Sequence, residues 1–213
     1  MVKKLILLAT SLLICFTVNA ANYQEGKHYK VIPDPIKVSS PEVREYFSYY
    51  CGACKGFETL LPELMRGLGD NTSLEKTHVD FMGATSAEVQ FMLAKALLVA
   101  EQAGIDKKFS SAIFKYLQVD RGKIDDEKDI RDIYVLNGGD GAFFDKAMKS
   151  FSVVGKAKRN KKLQDELSKA RLLTSVPTFV VNGKYVINAK ALDRKDFVND
   201  YKNILKYLSS LDY

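Results

Sequence analysis

Cysteine and histidine are scarce in this 213-residue chain, which holds only Cys15, Cys51, Cys54, His28 and His78. Structural zinc needs four ligands, usually from a second C-x-x-C or a paired-histidine motif. His28 and His78 flank the Cys51–Cys54 pair with no such spacing, so a zinc site fails on ligand count. Internal repeats and low-complexity tracts are absent, which excludes a repeat architecture. Long hydrophobic runs are absent too, apart from residues 5–18 behind Lys3 and Lys4. That run is too short for a comfortable membrane span and closes on Val18-Asn19-Ala20, the pattern of a secretory signal peptide cut before Ala21. An uncleaved anchor is the weaker reading. Lipid attachment at Cys15 is rejected because Ile14 stands where a small residue is needed.

Strong charge is missing as well. Removing Lys3 and Lys4 from the 32 basic residues leaves 30 against 26 acidic ones, a mature net charge of +4. This mild excess favours solubility and does not call for nucleic acid. The basic stretch KAKRNKK (156–162) is read as a solvated helix face. A mature chain of this size suits one domain with a large insert, and it can build a core without a disulfide.

What is present is an ordered alternation of elements. VREYFSYY (43–50) is aromatic and β-branched, and reads as a strand ending at Cys51. Helical spacing follows, with Phe57, Leu60, Leu61, Leu64, Met65 and Leu68 on one side and Pro62 expected to kink the helix. EKTHVDFM (75–82) alternates, placing Thr77, Val79 and Phe81 on one face of a second strand. Helices are expected over 86–104, 109–118, 126–137, 141–151 and 152–172, with Phe91, Met92, Phe143 and Phe144 in the core. VPTFVVNGKYVI (176–187) reads as a hairpin turning at Asn182-Gly183, and 193–211 as an amphipathic helix. This order gives an α/β class: a thioredoxin-like fold from residues 21–84 and 171–213, with an inserted all-helical domain over 85–170.

Within that frame the motif Cys51-Gly52-Ala53-Cys54 sits where a strand becomes a helix N-terminus. Free backbone N–H groups and the helix dipole there favour negative charge on Cys51, and a stabilised thiolate is a good leaving group. A two-residue loop removes little chain entropy, which argues against a purely structural staple. Redox exchange is the preferred chemistry, with Cys51 exposed and Cys54 the buried partner. Val176-Pro177 precedes a strand after a long helix; in thioredoxin-type folds a cis proline at this place faces the cysteines. Its backbone would offer an extended substrate β-type hydrogen bonds. Glu45 shares strand parity with Val43, Phe47 and Tyr49. It is either an edge carboxylate in water or a buried group that exchanges a proton with Cys54, with Lys76 as its partner. His78 is read as structural.

With these residues in hand, the chain resembles the DsbA-type thiol:disulfide oxidoreductase family. ANYQEGKHY, EYFSYYCGAC, KTHVDFMG, DIRDIY, VPTFVVNGKY and the tyrosine-rich last helix follow the family's order across residues 21–213. The resemblance implies a periplasmic oxidase that gives its disulfide to reduced, unfolded exported proteins. A DsbB-like, quinone-linked membrane oxidase would re-oxidise it, with no further cofactor. By position, Cys51 is the nucleophile and Cys54 the resolving cysteine. Glu45 and Lys76 fall where the family has a buried charged pair, and Val176 and Pro177 fall on its cis-proline loop. Gly52 and Ala53 depart from the proline and histidine of well-known members, which predicts a milder oxidant, though not a reductant.

Two other functions compete. A disulfide isomerase or reductase of the same fold typically dimerises through an added N-terminal domain, and the roughly thirty residues before Cys51 leave no room for one, so a monomer is expected. A chaperone-like binding module with an incidental disulfide is the non-catalytic rival.

Overall fold

A computed structural model describes residues 23–211. The expected signal peptide, with Cys15, lies outside the described residues. Five strands form one mixed sheet in the order β1-β5-β4-β2-β3, comprising β1 (Tyr29–Val31), β2 (Glu42–Phe47), β3 (Ser73–His78), β4 (Thr178–Val181) and β5 (Tyr185–Ile187). β2 and β3 run parallel, joined through helix α1 (Gly52–Met65), and the remaining pairs are antiparallel. Between β3 and β4 the chain builds α2 (Ala87–Gln102), α3 (Asp106–Gln118), α4 (Glu127–Leu136), α5 (Gly141–Ala147) and α6 (Phe151–Lys169); α7 (Phe197–Ser209) closes it.

Apolar periodicity explains the layers. Leu61 and Leu64 of α1 pack with Tyr201, Ile204, Leu205 and Leu208 of α7 against Val43, Phe179 and Val181 on one face of the sheet. Tyr46, Val180 and Val186 point to the opposite face, where Leu167 of α6 and Leu173 cover them. The helices between β3 and β4 share a core around Leu93, Leu97, Phe109, Ile113, Tyr134 and Phe144, which also takes in Phe47, Tyr49, Cys51 and Cys54. β2 therefore carries Val43 into one core and Phe47 into another, with Glu45 between them on the same side of the strand.

Several sequence-derived bounds shift. β2 stops at Phe47 because the Cys51 N–H turns back to donate to the Ser48 carbonyl, so Ser48–Tyr50 form a turn and not the end of a strand. β3 ends at His78; Phe81 lies beyond the ladder and is exposed, while Thr77 and Val79 are buried. The helix expected over 141–151 is broken, since α5 ends at Ala147 and Ser150 caps α6 by accepting from the Val153 N–H. Phe144 is in the core, whereas Phe143 points largely to solvent. The short strand β1 carries no alternation long enough to read from sequence. In the 156–162 stretch, Lys158 and Arg159 are exposed, and Lys161 pairs with Asp80 at 2.7 Å.

At the hairpin, Asn182 (φ +51°) and Gly183 (φ +62°) both take left-handed conformations, as a two-residue primed turn requires. This turn sets β5 against β4; β4 in turn pairs antiparallel with β2, which leaves Val176-Pro177, just ahead of β4, near the N-terminus of α1.

Candidate active site

Cys51 is the N-cap of α1. Its backbone is extended (φ −97°, ψ 116°), and its Sγ accepts the Cys54 N–H at 3.3 Å. The helix places one of its unsatisfied donors on this sulfur, and no acidic side chain in the first turn opposes it. Cys51 is 8% exposed, beside exposed Gly52 and Ala53, whereas Cys54 is fully buried. Burial pushes the Cys54 thiol well above its ordinary range, and its contact with Cys51 adds to the rise. The expectation of an exposed Cys51 is thus corrected: packing of the Val176 loop against it leaves it nearly buried, with only a small exposure that Cys54 lacks.

The Val176–Pro177 peptide bond is cis, and the Cys51 thiol donates to the Val176 carbonyl at 3.4 Å. Both loop residues are half-buried and adjoin Cys51.

Beneath lies the charged group. Parallel register sets Glu45 directly beside Lys76. The Glu45 carboxyl is fully buried, and Lys76 Nζ stands 3.4 Å from its Oε2. Burial raises the Glu45 carboxyl to about 7, although Lys76 opposes the rise; nearby Glu58 adds to it. Lys76 Nζ also donates to Glu58 of α1 and lies 4.3 Å from the Phe47 ring centroid. His78 is buried and accepts the Tyr49 N–H on Nε2 at 3.1 Å, while burial holds its imidazole down at about 3. It supports the turn as a neutral ring.

Comparison with known proteins gives the family and the fold. Residues 42–198 match the family described as DSBA-like thioredoxin domain. The chain belongs to this family. It is 32% identical over 213 residues to the thiol:disulfide interchange protein DsbA of Escherichia coli K12, covering 97% of this chain and 98% of that one. Identity to the Dickeya dadantii DsbA is also 32%, over 98% of this chain and 99% of that protein. The crystal structure of the Klebsiella pneumoniae DsbA disulfide interchange protein superimposes with a TM-score of 0.78 at 30% identity, covering 90% of this chain and 100% of that one. A Proteus mirabilis DsbA solved with a non-covalently bound peptide has the same TM-score at 24% identity, a likeness of fold alone. This DSBA-like protein is a thiol:disulfide oxidoreductase on a thioredoxin-like fold. No helix among its described residues is long and apolar enough to cross a membrane.

Two polar groups at the site were not singled out from the DSBA-like sequence. Glu58 follows Cys54 by four residues, a spacing that puts both on one side of α1, and this was the available signal. Gln118 ends α3, far along the chain, and donates to the carbonyls of Tyr49 at 2.7 Å and Cys51 at 3.1 Å. Sequence offers no direct sign of that contact.

Proposed function

We propose that this oxidoreductase works in the periplasm and donates a Cys51–Cys54 disulfide to reduced, newly exported proteins. A DsbB-like, quinone-linked membrane oxidase then restores the disulfide. The carrying observation is the pair at the α1 N-terminus: Cys51, whose Sγ accepts a backbone N–H and which keeps 8% exposure, and a fully buried Cys54.

In the forward step a substrate thiolate attacks Cys51 Sγ, the Cys51–Cys54 bond breaks, and Cys54 leaves with the electron pair. Cys54 then takes a proton, consistent with the burial that disfavours its anion. Glu45, whose carboxyl is held near neutrality, is the proposed donor of that proton, and Lys76 holds the carboxyl in place. A second substrate thiolate attacks the substrate sulfur of the mixed disulfide and expels Cys51 as a thiolate, which the helix N-terminus favours. The substrate is oxidised by two electrons and the protein is left as the dithiol.

Val176 and Pro177 form the proposed platform for an extended substrate segment. Their backbone borders Cys51, and the Proteus mirabilis relative was solved with a bound peptide. Solvent-exposed Gly52 and Ala53 offer the thiolate no side-chain donor, so a milder oxidant than proline-histidine members is expected.

The test is the equilibrium of the mature protein with reduced and oxidised glutathione. A dithiol that dominates even where glutathione is mostly oxidised supports donation. A disulfide that persists under strongly reducing, thioredoxin-like conditions overturns it in favour of reduction or isomerisation.

A further inference from the structure

One face of α3 grips the segment that leads into the reactive cysteine. Ser110, Phe114 and Gln118 recur every four residues and so stand in one stripe of the helix. All three meet Tyr49. Ser110 Oγ lies 2.9 Å from the Tyr49 hydroxyl, and the Phe114 ring packs edge-on at 5.0 Å between centroids. Gln118 alone reaches past the ring to the backbone, where its carboxamide bridges the Tyr49 and Cys51 carbonyl oxygens at 2.7 and 3.1 Å.

These carbonyls lie on either side of the Tyr50–Cys51 peptide, next to the residue proposed to leave as a thiolate. The Cys51 carbonyl accepts the Lys55 N–H of α1 at 3.2 Å as well, so Gln118 is its second donor. The negative end of a neighbouring backbone carbonyl disfavours a thiolate, and a donor placed on that oxygen offsets it. The bridge also pins the backbone on both sides of Tyr50, which keeps Cys51 in the extended N-cap conformation that presents Sγ to the Cys54 N–H. Both effects weigh more on a thiolate than on a neutral disulfide sulfur, because bonds to ionised groups are roughly twice as strong.

We propose that Gln118 is a positioning residue for Cys51, through which the helices between β3 and β4 set the redox equilibrium of the cysteine pair. The inference rests on the reading of Cys51 as the exchanging sulfur.

Gln118→Met keeps side-chain length and helix propensity and removes both donors. The reaction to follow is protein disulfide plus two glutathione thiols giving protein dithiol plus glutathione disulfide. Any stability lost equally by both redox forms cancels from this equilibrium, so a merely structural role does not move it. In Gln118→Met the equilibrium should shift toward the protein disulfide on the order of fivefold to tenfold. Ser110→Ala loosens the same helix contact without touching the carbonyls, and should stay within about twofold of wild type. The melting temperatures of both forms provide the second readout: Gln118→Met should lower that of the dithiol more than that of the disulfide.

An unchanged equilibrium in Gln118→Met, or an equal shift in Ser110→Ala, overturns the inference. Should Gln118→Met not fold, Gln118→Asn withdraws the carboxamide by one methylene and is judged by the same two results. The variant-to-wild-type ratio is readable whatever the wild-type value, so failure of the disulfide-donor reading shows in the wild type and failure of this inference shows in the ratio.

Discussion

Glu45 and Lys76 are register partners on adjacent parallel strands, with Nζ 3.4 Å from a carboxyl that has no other cation within ion-pair reach among the described residues. Lys76 divides its charge between Glu45 and Glu58, and Glu45 is the more deeply buried of the two. Burial is what raises the Glu45 carboxyl to about 7; the Lys76 ammonium opposes the rise, and the charge of Glu58, which shares that ammonium, adds to it.

Glu45 and His78 should give opposite pH slopes to the stability of the dithiol form. The Glu45 carboxyl is raised from 4.5 to about 7, so its contribution is fully favourable below 4.5 and is lost as pH rises to about 7. His78 is lowered from 6.5 to about 3, so its contribution is present above 6.5 and is lost as pH falls toward 3. Between 4.5 and 6.5 the two slopes, each about 1.4 kcal/mol per pH unit, cancel. Relative to wild type, Glu45→Gln should lose stability on acidification through this window and His78→Gln should gain it. Urea unfolding at pH 5, 6 and 8 checks both signs; parallel wild-type and variant profiles would refute the assignment.

Lys76→Met should be more costly at high pH than at low pH. Without the ammonium the Glu45 carboxyl rises further, and the loss of stability on raising pH continues past 7. About 1 kcal/mol more destabilisation is expected at pH 8 than at pH 5, because the added loss falls between pH 7 and 8 at no more than about 1.4 kcal/mol per pH unit. The double variant Glu45→Gln, Lys76→Met should lack this pH dependence when melted in urea at the two pH values.

Cys54→Ser should trap a mixed disulfide. With no neighbouring thiol to attack Cys51, a disulfide between Cys51 and a small thiol or a substrate cysteine has lost its fast intramolecular exit. Non-reducing gels and intact mass should show the adduct on Cys51, whereas Cys51→Ser should accumulate little adduct on buried Cys54. Comparable adducts on both would reverse the roles given to the two cysteines.

Gly183→Ala should destabilise the fold by roughly 3 kcal/mol. A Cβ on Gly183 would stand 2.1 Å from the Ile36 carbonyl oxygen, and φ is +62°. Neither contact can be relieved by moving a flexible side chain. Thermal melting measures the loss; a change under about 0.5 kcal/mol would mean the turn can be rebuilt.

Much of this was legible because it is written in short-range pattern. The change from β-rich spacing in VREYFSYY to helical spacing after Cys54 placed the cysteine pair at a helix start, and Asn182-Gly183 marked the hairpin. Those signals depend on steric and hydrophobic preferences that act within a few residues. The strand parity of Glu45 was equally visible, yet it left open whether water or protein covered that position.

Only the assembled structure decided the questions of contact. Burial of Glu45 depends on α1, β4 and Lys76 arriving from three parts of the chain, and the raised carboxyl follows from that desolvation. The role of Glu58 depends on α1 lying over β3, and that of Gln118 on a helix sixty-nine residues from Tyr49 folding back onto it. Local pattern determined which elements form and where the cysteine pair stands. Tertiary packing decided which charges lose water and which donors reach the Cys51 turn, because desolvation and hydrogen bonding are set by neighbours in space.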